Sequence, residues 1–113
     1  MELDELNVAK FLESIGIKRT IKGYCYLKRG VLVCMENPTL SCQEICESII
    51  SKKDRKSNWK SVYRNCLYAI KTSKNEMYRE LAPSAFFKEV STLIHHNNLE
   101  RSVRETLAGK ESV

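Results

Sequence analysis

SCQEICESIISKKDRKSNWKSVYRNCLYAIK, residues 41–71, holds the signals that decide the fold. Ser41 followed by Glu44 is a capping box, and Leu40 and Ile45 take the two positions of a hydrophobic staple, so a helix begins at Ser41. Its core side is Ile45, Ile49 and Ile50, and it ends in the polar stretch Lys52 to Ser57, read as a turn or loop. Ser57 and Asn58 are both good caps for a second helix running to about Ser73. On a helical wheel Trp59, Val62, Cys66, Ala69 and Ser73 share one side, while Lys60, Arg64, Leu67, Tyr68 and Lys71 share the other. One face is apolar and the opposite face is basic and partly aromatic.

Outward from this pair the chain continues as helices separated by short turns. Towards the N-terminus, Leu6, Ala9, Leu12 and Ile15 recur at helical spacing over about residues 4–15, with Asp4 as cap and Gly16 as the left-handed stop. A second helix runs from a Thr20 cap to about Asn37, with Ile21, Tyr24, Leu27, Val31, Cys34 and Met35 as its stripe and Pro38 beyond its end. Gly23 and Gly30 inside it each cost on the order of 1 kcal/mol against alanine, which points to close approach by a neighbouring helix. Towards the C-terminus a short helix covers residues 76–81, and Pro83 and Ser84 open another through Phe86, Phe87, Val90, Leu93 and Ile94, with the Phe pair in the core. Leu99, Val103 and Leu107 form a narrow stripe that either prolongs this helix or meets a second subunit, and the end from Gly109 to Val113 is expected to fray. The expectation is an all-α fold of five to six helices without a sheet, containing a helix-turn-helix over about 41–73. Residues 1–97 form the domain, and residues 98–113 a helical extension and tail.

At 113 residues, 42% hydrophobic and 29% charged, the chain is one soluble domain's worth and excludes a multidomain enzyme. The longest apolar run, Val31 to Met35, is far short of the roughly 20 residues a membrane span needs, and the acidic start resembles no signal peptide, so a cytoplasmic location is expected. Five cysteines, an odd number without a secretion signal, imply reduced thiols rather than a disulfide framework.

Charge is concentrated. Residues 52–74 carry eight Lys and Arg against Asp54 alone, a net of +7, whereas residues 1–51 and 75–113 each carry −1. Such a block suits a polyanion. A helix, a connection and a second helix with a cationic outer face is the layout of a helix-turn-helix DNA reader. An α-helix fills the major groove, arginine can donate two hydrogen bonds to guanine, and lysine neutralises phosphate. The base-contacting set is therefore Arg64 with Lys60, Ser61, Asn65 and Tyr68. The phosphate-contacting set is Lys52, Lys53, Arg55, Lys56 and Lys71. Tyr63 and Leu67 join Tyr68 in reach of sugar or thymine methyl groups.

These residues resemble a family. Ile15-Gly16-Ile17-Lys18 and Ile21-Lys22-Gly23-Tyr24-Cys25-Tyr26-Leu27 look like the I-G-(I/V) … I-K-G-Y-x-Y-L stretch of the C-terminal DNA-binding effector domain of the sporulation-initiation response regulator, the stage 0 sporulation protein A family. Val62 to Ile70 is similar to that domain's recognition helix, V-E-R-x-I-R-H-A-I, and Pro83-Ser84-Ala85-Phe86 to its P-x-x-S-E-F. The likeness covers roughly residues 6–95. It implies an all-helical effector that binds boxes of the TGTCGAA type, often as tandem dimers, and regulates transcription with RNA polymerase. Double-stranded DNA, RNA polymerase and a second copy of the chain are then the implied partners. Position by position, Arg64 keeps a base-contacting arginine, whereas Tyr63 stands in place of the family's acidic residue and Leu67 in place of its second arginine. No receiver domain with a phosphoacceptor aspartate precedes the effector, so a stand-alone regulator is expected.

Other chemistry is weaker. Cys42 and Cys46 lie one turn apart with His95 and His96 downstream, but no C-x-x-C motif or second compact ligand pair accompanies them, so no metal or other cofactor is expected. Nothing local marks an activating base, oxyanion donors or a glycine-rich phosphate loop, so no enzyme is expected. Two non-DNA readings stand beside the main one. A protein-interaction module would use Tyr63, Leu67 and Tyr68 to antagonise or heterodimerise with a longer regulator. A membrane-surface protein would use the basic block, but helix four has no broad apolar face left once its core side is buried, and no membrane partner is expected.

Overall fold

The computed structural model describes residues 2–50 and 58–111. Among them there are six helices and no strand: α1 (Glu2–Ser14), α2 (Lys22–Glu36), α3 (Cys42–Ile49), α4 (Trp59–Lys71), α5 (Glu76–Arg79) and α6 (Pro83–Glu111). The fold is all-α. Helix α2 is its axis, packed against α1, α3, α4 and α6. Its buried side carries Tyr24, Leu27, Val31 and Cys34. These meet Val8 and Leu12 of α1, Ile45 and Cys46 of α3, Val62, Cys66, Ala69 and Ile70 of α4, and the fully buried Phe86, Phe87 and Val90 of α6 in one core.

Two glycines of α2 let its neighbours approach. A Cβ at Gly23 would overlap the Asn65 carbonyl oxygen of α4 and stand 2.7 Å from the Ala69 Cβ; one at Gly30 would strike the Phe87 ring. The helical cost of both glycines is thus offset by close packing. Gly16, with φ 88°, turns the chain after α1, as its left-handed conformation requires.

The capping box of α3 is complete: the Ser41 hydroxyl accepts from the Glu44 amide at 3.2 Å, and the Glu44 carboxylate accepts from the Ser41 amide at 3.1 Å. Asn58 caps α4, accepting from the Ser61 amide at 2.9 Å. Other boundaries differ from expectation. Asp4 lies inside α1, which begins at Glu2, and accepts a hydrogen bond from Asn98 of α6 instead of capping. Val8, not Leu6, joins Ala9, Leu12 and Ile15 in the core; Leu6 is exposed. The N-cap of α2 is Ile21, without a side-chain hydrogen bond, in place of Thr20. Helix α4 stops at Lys71, because the buried Ser73 hydroxyl turns to donate to the Ile15 carbonyl at 2.8 Å, tying the end of α4 to the end of α1. Helix α6 is unbroken from Pro83 past Leu99 and Gly109 to Glu111.

Helices α3 and α4 pack against each other, but residues 50–58 connect them. That is longer than the three or four residues of a compact helix-turn-helix turn.

Candidate nucleic-acid interface

Helix α4 builds the site. Burying Val62, Cys66, Ala69 and Ile70 against α2 and α3 fixes its rotation about its own axis. At 3.6 residues per turn, that rotation puts Lys60, Arg64, Tyr68 and Lys71 on the opposite side, and all four are exposed. Tyr68 is the most open aromatic of the chain's described residues, at 64% exposure. No described carboxylate pairs with Lys60, Arg64 or Lys71. The four side chains form a row about 16 Å long, taken from 1.5 Å of rise per residue.

The remaining expected site residues stand elsewhere. Ser61 and Asn65 lie on the flank of α4, both half-buried. Asn65 donates its side-chain amide to the Ser61 carbonyl at 2.9 Å, and its own carbonyl abuts Gly23 of α2. Leu67 and Tyr63 are half-buried at the edges of the basic row. Lys52, Lys53, Arg55 and Lys56 lie outside the described residues. The exposed side of α3 adds no positive charge, since it carries Gln43, Glu44 and Glu47.

A feature not legible in the sequence is an open cleft of about 920 Å³ between the start of α3 and the first half of α4, lined by Ser41, Cys42, Trp59, Lys60, Tyr63 and Arg64 among others. Trp59, expected on the buried side, is half-buried and packs edge-on against Tyr63, with ring centroids 6.5 Å apart at 82°. The i, i+4 spacing of these two aromatics was the available signal for this wall.

The cleft also separates the thiols by environment. A hydrogen bond from Cys46 brings Cys42 down to about 7 against the opposing effect of burial, and the nearby Lys88 ammonium adds to the lowering. Cys46, hydrogen-bonded to Cys42 and buried, is pushed upward, and burial pushes Cys66 up to about 12. Among the described residues no three His, Cys, Asp or Glu side chains converge to hold a metal ion, and no helix is long and apolar enough to cross a membrane.

Comparison with family models, with curated proteins and with solved structures finds no match.

Proposed function

We propose that the chain is a sequence-preferring double-stranded DNA-binding transcriptional regulator, a counterpart of the sporulation effector domain that residues 15–27 and 62–70 resemble. The observation that carries this reading is the exposed row Lys60, Arg64, Tyr68 and Lys71 on a helix opposite its core side. A 13-residue helix is about 20 Å long and 10–12 Å across with its side chains, matching the roughly 12 Å width of the major groove. In this reading Arg64 contacts a base, Lys60 and Tyr68 flank it, and Lys71 with Lys52, Lys53, Arg55 and Lys56 holds phosphate. Asn65 and Ser61 contribute less, because one amide is already spent within the helix. RNA polymerase and a second copy of the chain on DNA are partners in the same proposal, as is a cytoplasmic, non-enzymatic role.

The test is fluorescence anisotropy on duplexes carrying a TGTCGAA-type box, a scrambled box and random sequence, across a salt series. Box-preferring binding that falls steeply with salt is expected, because each neutralised phosphate releases counterion. Absence of binding to every duplex at low salt would defeat the reading.

One observation favours a second reading. Tyr68 is mostly exposed, and Leu67 and Tyr63 are partly so, on the same stretch of α4. Exposed tyrosines are frequent anchors of protein interfaces. Partner binding that is indifferent to salt, without duplex binding, would support an interaction module that antagonises a longer regulator.

A further inference from the structure

Cys42 differs from the other four cysteines in its surroundings. Cys34, Cys46 and Cys66 are buried, and Cys25 is exposed on the surface of α2. Cys42 is half-buried and opens into the cleft between α3 and α4. It is the first residue of α3, directly after the Ser41 cap, where unpaired helix amides favour a negative sulfur. The charged and titratable groups around it come from three helices. Cys46 of α3 lies one turn from it and Lys88 of α6 supplies a positive charge, while Lys60 and Arg64 of α4 line the same cleft with Tyr63. Glu44 and Glu47 of α3 oppose them; the Glu44 carboxylate is engaged by the Ser41 amide. The cleft's volume, about 920 Å³, is that of a small-molecule site, with an aromatic wall and a cationic rim.

We infer that Cys42 is a modification site for thiol–disulfide exchange with an anionic low-molecular-weight disulfide, seated between the start of α3 on one side and Trp59, Lys60, Tyr63 and Arg64 of α4 on the other. The Cys42 thiol gives its proton to solvent, and the thiolate attacks one sulfur of the disulfide. That S–S bond breaks as the Cys42 S–S bond forms, so Cys42 is oxidised and the departing half leaves reduced, as a thiolate that takes up a proton. No other oxidant is needed. Cys46 does not resolve the adduct, because its sulfur is fully buried in the core and shielded from the exchange. The mixed disulfide therefore persists until an external thiol removes it. The inference stands apart from the DNA reading, and its test contains no DNA.

The experiment exposes the full chain at pH 7 to oxidised glutathione, and separately to the uncharged hydroxyethyl disulfide. Adducts are located by peptide mapping and timed by intact mass. Cys25, the more exposed thiol, is the internal reference. If exposure alone governed, it would react first. Glutathione is expected on Cys42 first, faster than on an ordinary thiol by about threefold from thiolate fraction after allowing for lower nucleophilicity. The Cys42→Ser variant should lose the fast adduct, and Cys25→Ser should keep it. In the Cys25→Ser background, Lys60→Gln with Arg64→Gln should slow the anionic disulfide several-fold and the uncharged one less than twofold, with circular dichroism unchanged. Reaction at Cys25 first, or equal slowing of both disulfides or of neither, would overturn the inference.

Discussion

Gly23 of α2 lies against the Asn65 carbonyl of α4, with no space between them for a β-carbon. This contact seats the candidate DNA-reading helix, since it sets both the distance of α4 from α2 and its rotation. Alanine at position 23 gains about 1 kcal/mol of helix propensity. It must also displace a backbone carbonyl and the Ala69 methyl, which stands 2.7 Å from the new carbon. Gly23→Ala should therefore destabilise the protein by about 1–3 kcal/mol, as overpacked cores do. Gly30→Ala meets a side chain, the buried Phe87 ring, and should cost less. Urea denaturation of both variants measures the ranking, and a Gly23→Ala protein as stable as wild type would refute this packing account.

What was legible in the sequence was local. The capping box at Ser41 and Glu44 and the Asn58 cap are signals of three or four residues, and both helices begin where those signals stand. The two faces of α4 follow from its 3.6-residue period, so Lys60, Arg64, Tyr68 and Lys71 emerge together. Tertiary packing decided what remained. Leu6 and Val8 are equally apolar, and only the position of α2 and α6 selects Val8 for the core. Asn65 looks like a free polar residue in sequence, yet its flank is the one that α2 approaches through Gly23. The cleft beside Cys42 exists only because α3 and α4 meet, so the spacing of Trp59 and Tyr63 marks one wall of it but not the cleft itself.

Arg64 and Lys53 should separate by role. Arg64 is exposed at the centre of the α4 row, and Arg64→Ala should leave folding stability within about 0.5 kcal/mol of wild type. On DNA it should erase about 1–3 kcal/mol of box preference. Lys53→Ala should instead weaken all duplexes alike and reduce the salt slope by about one. Asn65→Ala should change preference less than Arg64→Ala, because the Asn65 amide is bonded to the Ser61 carbonyl. Anisotropy against boxed and scrambled duplexes reads all three. Equal, sequence-independent losses from Arg64→Ala and Lys53→Ala would refute the division of labour.

The capping box predicts a pH dependence. Glu44 is held below its ordinary value, first by the backbone amide of Ser41 and then by its side chain. A carboxylate depressed in the folded state contributes stability above its unfolded pKa, and that contribution disappears as the pH falls through the folded value. Glu44→Gln, which cannot ionise, should therefore be less stable than wild type near neutrality, having lost the charged acceptor of the Ser41 amide. The gap from wild type should narrow in the acid range below the ordinary carboxylate value. Thermal melts of both proteins from neutral to acid pH test this, and a gap that stays constant would show that Glu44 is not coupled to the cap.

The phenol of Tyr24 provides the last prediction. Tyr24 is 4% exposed, and its hydroxyl has no hydrogen-bond partner among the described residues. The Arg19 guanidinium stands near it but is ion-paired with Glu13 at the surface. A buried hydroxyl without a partner forfeits its hydration, at about 1–3 kcal/mol, whereas the ring keeps its apolar packing if the oxygen is removed. Tyr24→Phe should accordingly be neutral or stabilising, by up to about 1 kcal/mol in urea denaturation. Arg19→Ala should not alter that difference, because the guanidinium does not satisfy the hydroxyl. If Tyr24→Phe instead lost about 1 kcal/mol, and Arg19→Ala abolished the loss, the two residues would be hydrogen-bonded in solution and Arg19 would anchor the start of α2.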